Sequence, residues 1–244
     1  WVERTPKGRL HDLAAGLALP PATGGAARWT ASGSFADLGL EQRGSIPGFK
    51  GLGATFTADQ DAGSLHLRSE GMTLDLNPLF TIPIPVRHSG GQLSWRRGPG
   101  GAWHLAGEDI ALENADLSGQ GRLTLDLPSG GGSPFLDLRA TFRDANAART
   151  RTYLPAGIME PKLVRWLEES IRSGRVTQGD AVYHGTLADF PFRKNQGRFE
   201  LLLVFQDLLL DYQKGWPPIE SAAGSVRLLN QGLAIKVDRG RIYD

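Results

Sequence analysis

The chain has 244 residues, with 27 Lys and Arg against 26 Asp and Glu, for a net charge of +1. That balance excludes a polyanion-binding surface spread over the whole molecule, and no nucleic-acid partner is expected; an apolar content of 40% excludes disorder by composition. The absence of Cys removes thiol nucleophiles, disulfides and Cys-ligated metal sites, and the longest apolar run, Leu201 to Phe205, is far too short to span a bilayer.

In chain order, apolar alternation of period two dominates. Leu65 and Leu67 flank His66; Met72, Leu74 and Leu76 alternate with Thr73 and Asp75. Leu93 and Trp95 flank Ser94, Trp103 and Leu105 flank His104, and Leu123, Leu125 and Leu127 alternate with Thr124 and Asp126. Leu136, Leu138, Ala140 and Phe142 follow, then Val226 and Leu228, then Leu233, Ile235 and Val237. Each such run reads as a strand with one apolar and one wet face, the signature of antiparallel sheet. Gly-rich breaks at residues 90–91, 98–101 and 129–132 separate them. Leu outnumbers Val plus Ile by 34 to 17, against ordinary strand propensity, and the two-residue period overrides that bias.

A single helix is expected near residues 160–173. Pro161 suits its first position and Gly174 its C-terminal cap, with Leu163, Leu167 and Ile171 on a docking stripe. An internal echo links Phe35-Ala36-Asp37-Leu38-Gly39-Leu40 to Phe205-Gln206-Asp207-Leu208-Leu209-Leu210 at an offset of about 170 residues. The chain starts at Trp1 and stops at Asp244 within an alternating stretch, so it reads as part of a longer protein. The expected units are a β segment over 1–149, a connector with the helix over 150–175, and a second β segment over 176–244.

No catalytic, metal or cofactor site is expected. The five His residues show no short metal-ligand spacing, and there is neither a nucleophile elbow nor a phosphate-cradling Gly loop. Asp59-Gln60-Asp61-Ala62-Gly63 resembles the opening of a calcium loop but lacks the later ligands, and reads as a hairpin turn. About a dozen half-apolar strands face about three turns of helix, so the sheet has to cover itself or be covered by something else. Pattern alone favours a closed sandwich or barrel.

A resemblance reverses that preference. Tyr153-Leu154-Pro155, Pro161-Lys162-Leu163-Val164-Arg165-Trp166-Leu167, Gly185-Thr186-Leu187-Ala188-Asp189-Phe190-Pro191-Phe192, Gly197-Arg198-Phe199 and Trp216-Pro217-Pro218-Ile219 resemble, in order and spacing, the central region of the YhdP family of AsmA-like proteins. The resemblance implies a mainly β fold, an elongated, twisted antiparallel sheet curled into an open, taco-like repeating groove. It implies a periplasmic bridge in a Gram-negative envelope, held to the inner membrane by an anchor outside this sequence, that carries phospholipid acyl chains toward the outer membrane. Outer-membrane or periplasmic proteins are implied as further partners.

The expected groove lining is Leu65, Leu67, Leu74, Leu76, Leu93, Trp95, Leu123, Leu125, Leu136, Leu138, Phe142, Leu201, Leu203, Phe205, Leu208, Leu210, Val226, Leu228, Ile235 and Val237. Leu202 and Val204 are expected beneath the helix or a loop. The competing readings are a closed β-sandwich scaffold of the cell envelope and a carbohydrate-active β protein, which needs clustered carboxylates and aromatic platforms.

Overall fold

The computed structural model describes residues 6–20, 24–44 and 46–242; Trp1 and Asp244 lie outside them. Twelve strands form one sheet in which every strand pairs antiparallel with its neighbours in sequence. They are β1 (Lys7–Ala18), β2 (Arg28–Leu40), β3 (Gly48–Asp59), β4 (Ala62–Asp75), β5 (Ile84–Arg97), β6 (Trp103–Glu113), β7 (Ser118–Leu127), β8 (Phe135–Asn146), β9 (Ile171–Thr186), β10 (Arg198–Leu210), β11 (Ile219–Leu229) and β12 (Gly232–Arg241). Among the described residues β1 and β12 do not pair, so the sheet is no barrel, and there is no second sheet to make a sandwich. The closure that pattern alone favours is thereby overturned: the sheet curls into an open groove. Alternation reports one apolar face per strand but carries no information on what covers that face.

The connections fall on two rims. One carries residues 41–44 and 46–47, 76–83, 114–117, 147–170 and 211–218; it holds the helices α1 (Thr150–Tyr153) and α2 (Pro161–Ser170) and is the helical rim. The opposite rim carries the connections at 19–20 and 24–27, 60–61, 98–102, 128–134, 187–197 and 230–231. β8 and β9 pair directly, so the excursion between them leaves the sheet unbroken.

α2 begins with Pro161 as expected but stops at Ser170, short of the expected end. Ile171 already pairs with Leu210 as the first residue of β9. Gly174 lies inside that strand at φ +134°, where a Cβ would come 2.8 Å from the Leu208 Cα; close backbone approach, rather than helix capping, requires glycine there. Arg151 pairs with Glu168 at 3.5 Å and Arg172 with Asp211 at 2.9 Å, tying the helix and its exit to other elements.

Ten strands carry a residue at positive φ toward the helical rim: Asp12, Asp37, Gly51, Gly71, Gly91, Asp109, Asp144, Gly174, Asp207 and Ser221. Gly, and among L-residues Asp and Asn, enter this region most readily. Most of these residues sit beside register shifts, so they mark bulges that bend the strands along one transverse line. Residues on both sides of the bend pack together. Leu52, Met72 and Val86 are buried against Phe35 and Leu67 from one side and Leu38, Phe49, Leu74 and Ile84 from the other.

The echo is a repeat of structure. Phe35, Leu38 and Leu40 pair with Ala54, Leu52 and Phe49, while Phe205, Leu208 and Leu210 pair with Gly224, Ala222 and Ile219. Adding 170 to each number of the first set gives the second, bulge included.

Candidate functional site: a continuous apolar sheet face

The pairing registers carry the sequence pattern across the sheet. One transverse row runs Gly33, Phe56, Leu65, Leu93, Gly107, Leu123, Leu138, Tyr183, Phe199. The next, nearer the opposite rim, runs Ala31, Ala58, Gly63, Trp95, Leu105, Leu125, Leu136, Gly185. A third joins Gly119, Phe142, Gly179, Leu203, Val226 and Ile235. The other face is polar: Ser32, Thr57, Ser64, Ser94, Ala106, Thr124, Asp137, His184 and Arg198 form one of its rows.

The expected lining residues distribute as follows. Leu65, Leu67, Leu93, Trp95, Leu123, Leu125, Leu136, Leu138, Phe142, Leu201, Leu203, Phe205, Val226, Leu228, Ile235 and Val237 are linked through these ladders on the apolar face. Leu74 lies beyond the bend, against the buried cluster. Leu208 and Leu210 follow the bulge at Asp207. Leu76 lies past the end of β4, where its carbonyl accepts from Leu79 and Phe80 N–H groups at the start of a turn. Leu202 and Val204 lie on the polar face, opposite Asp180 and Gln178. Leu202 is thus about ten residues along β9 from the end of α2, roughly 30 Å away. Leu163 is 46% exposed; the helix turns Trp166 toward the 211–218 connection, where its indole N–H donates to the Tyr212 carbonyl at 3.0 Å. The same face also takes Leu10, Phe35, Phe56, Trp103, Leu105 and Ile110. The residue 103 and 105 alternation and the echo at Phe35 signal part of this set in the sequence.

Glycine placement keeps this face low. A Cβ on Gly63 would meet the Trp95 ring at 2.1 Å, one on Gly179 the Phe142 ring at 2.1 Å, and one on Gly224 the Phe205 ring at 3.0 Å. The large rings therefore lie across neighbouring strands, filling glycine gaps. At the opposite rim, the 187–197 connection folds back over the same face. Phe192 is fully buried beside Gly185 and Gly197, and the Phe190 and Phe192 rings pack on Tyr183 at 6.2 and 5.2 Å. Over β1–β4 near that rim lies an open cavity of about 710 Å³ lined mostly from the polar face, by Thr30, Ser32, Thr57, Asp59 and Ser64 among others.

Charge is kept to the polar face and the rims. Glu200 accepts from Arg198 and from Arg227, and these hydrogen bonds hold its carboxyl below the usual range. His184 and Asp137 meet at 3.0 Å, and His104 and Asp126 pair nearby. The Asp59 carboxylate accepts from the backbone N–H groups of Asp61 and Ala62, which lower its pKa and cap the β3–β4 turn. At the helical rim, Tyr153 donates to Asp116 at 3.1 Å and accepts from Asn114 at 2.9 Å. Among the described residues, no group of acidic and His side chains is placed to hold a metal ion, and no helix is long and apolar enough to cross a membrane.

Comparison with known proteins adds two matches. The family described as YhdP protein matches residues 1–244. The intermembrane phospholipid transporter YhdP of Escherichia coli (strain K12) is 24% identical over 238 residues, which is 98% of this chain and 18% of that protein. The chain thus spans under a fifth of the length of this relative. No solved structure matches.

Proposed function

The chain belongs to the YhdP family, and on that premise we propose that its sheet is a segment of a lipid-conducting bridge. The apolar face lines the groove and takes phospholipid acyl chains, which pass between inner and outer membranes across the periplasm. No bond is made or broken in this transfer. The anchor in the inner membrane and any protein met at the far end belong to the longer protein.

The observation that carries this reading is the run of apolar rows from strand to strand on one face of a sheet that has no second layer over it. An uncovered face of this size calls for an apolar occupant. Acyl chains fit that need: each buried CH₂ gains about 0.8 kcal/mol, so a sixteen-carbon tail gains on the order of 12 kcal/mol before ordering costs. Leu-rich rows with rings laid over glycines offer similar contacts at successive positions, which favours sliding over capture. The polar headgroup stays in water at a rim.

A charge inside the groove tests the reading. Leu93→Asp and Leu203→Asp, placed in the full-length protein, are expected to block lipid movement, because a charged carboxylate among the tails costs several kcal/mol of desolvation. Ser94→Asp, one residue away on the polar face, is expected to leave movement intact. The measurement is lipid exchange between membranes at matched protein abundance. Normal exchange in both groove variants sinks the mechanism.

A further inference from the structure

We propose that Arg97, with Trp95 and Trp103, forms a site for the phosphate group of a phospholipid whose tails lie in the groove; the proposal rests on the groove reading above. Along β5 from the interior to the rim, the apolar face presents Leu93, then Trp95, then Arg97, in steps of about 7 Å. Trp103 of β6 lies directly opposite Arg97, and Leu105 opposite Trp95. Aliphatic, amphipathic aromatic and cationic groups therefore follow one another in the order of acyl chain, glycerol ester and phosphate. Indole rings suit the middle position, with an apolar body and one N–H donor.

Arg97 stands at the rim end of the apolar rows, opposite Asp61 at the end of the β3–β4 turn. On the polar face, Arg198, Arg227 and Lys236 have a carboxylate partner, while Arg96, Arg122 and Arg139 have none among the described residues; what sets Arg97 apart is its place beside the two indoles. Arg97 has no carboxylate within ion-pairing distance among the described residues. Its backbone N–H is fixed by the Asp61 carbonyl at 2.6 Å. Its guanidinium passes the 98–102 turn where Gly101, at φ +83°, presents no side chain; a Cβ there would stand 3.7 Å from Nη2. An exposed, unpaired guanidinium with a planar donor fork matches phosphate oxygens two at a time.

The test uses the delipidated full chain with vesicles of phosphatidylglycerol, or of diacylglycerol with the same tails, and counts bound lipid by native mass spectrometry. The chain is expected to retain phosphatidylglycerol about tenfold better. Arg97→Gln should bring the ratio near one with diacylglycerol uptake unchanged, and Arg97→Lys should keep part of the preference. Thermal unfolding of each variant checks that the fold is intact. An unchanged ratio in Arg97→Gln, with lipid still bound, overturns this site alone. Uptake of neither lipid overturns the groove reading and this site with it. Saturable, Arg97-dependent binding of inorganic phosphate without tails, followed by phosphorus NMR, assigns the site to free phosphate and overturns the lipid source.

Discussion

At the scale of residues, the glycines explain a composition that otherwise looks like a loop-rich chain. Of the 32 glycines, several lie mid-strand under an aromatic ring, where any side chain collides with it. Gly63→Val is therefore expected to lift the Trp95 ring and cost about 1–3 kcal/mol, read as a lower urea midpoint with altered Trp fluorescence. Gly130→Val, with nothing within 4 Å of its Cβ position but φ at +87°, separates backbone strain from ring collision. Titration gives a second handle. Burial pushes the Tyr153 phenol up to about 12, and its hydrogen bond to Asp116 keeps the proton in place. The unfolded chain releases that proton near its ordinary value of 10.0, so the contribution is complete below that pH and is lost as pH rises toward 12. Tyr153→Phe should flatten the fall in stability between about pH 10 and about pH 12, measured by urea unfolding. Period two in the sequence made the apolar face legible residue by residue, as at Leu123, Leu125, Leu136 and Leu138. It failed at Leu76, where alternation runs on past the strand end into a turn.

At the scale of elements, the bulges set the limit of sequence reading. Phe205 and Leu208 stand three positions apart, which breaks strict alternation, yet the left-handed Asp207 between them restores Leu208 to a paired position against Ala222. The motif of apolar residue, any residue, Asp, apolar residue recurs at Phe35–Leu38 and Phe142–Ala145, each with its Asp at positive φ. Asp207→Gly is expected to be nearly neutral, whereas Asp207→Val should cost about 1–2 kcal/mol because a β-branched residue resists this conformation. Equal loss in both variants, seen in chemical denaturation, assigns the effect to the Arg239 contact at 3.8 Å instead. The helix was legible at its proline start and misjudged at its end, because Gly174 serves the close approach of β9 to Leu208 rather than a cap. The choice between a closed and an open sheet was not legible from pattern, since burial against lipid and burial against protein select the same side chains. Only the ordered motifs from Tyr153 to Ile219 pointed to the open form.

At the scale of the whole molecule, β1 and β12 present unpaired edges, and Leu233, Ile235 and Val237 on β12 are each 60% exposed or more. The isolated chain is therefore expected to associate edge to edge as concentration rises, and Ile235→Lys should suppress this in sedimentation runs. Association that is indifferent to this change places the contact elsewhere. Strict neighbour-by-neighbour pairing also has a consequence for length. Strands lie about 4.8 Å apart, so every added hairpin lengthens the sheet by about 10 Å and leaves its cross-section alone. The 170-residue repeat places β2 and β10 eight strands apart, a spacing of about 38 Å. Length across the sheet is thus a quantised property: it changes by whole hairpins, and removing or adding one leaves every remaining register untouched.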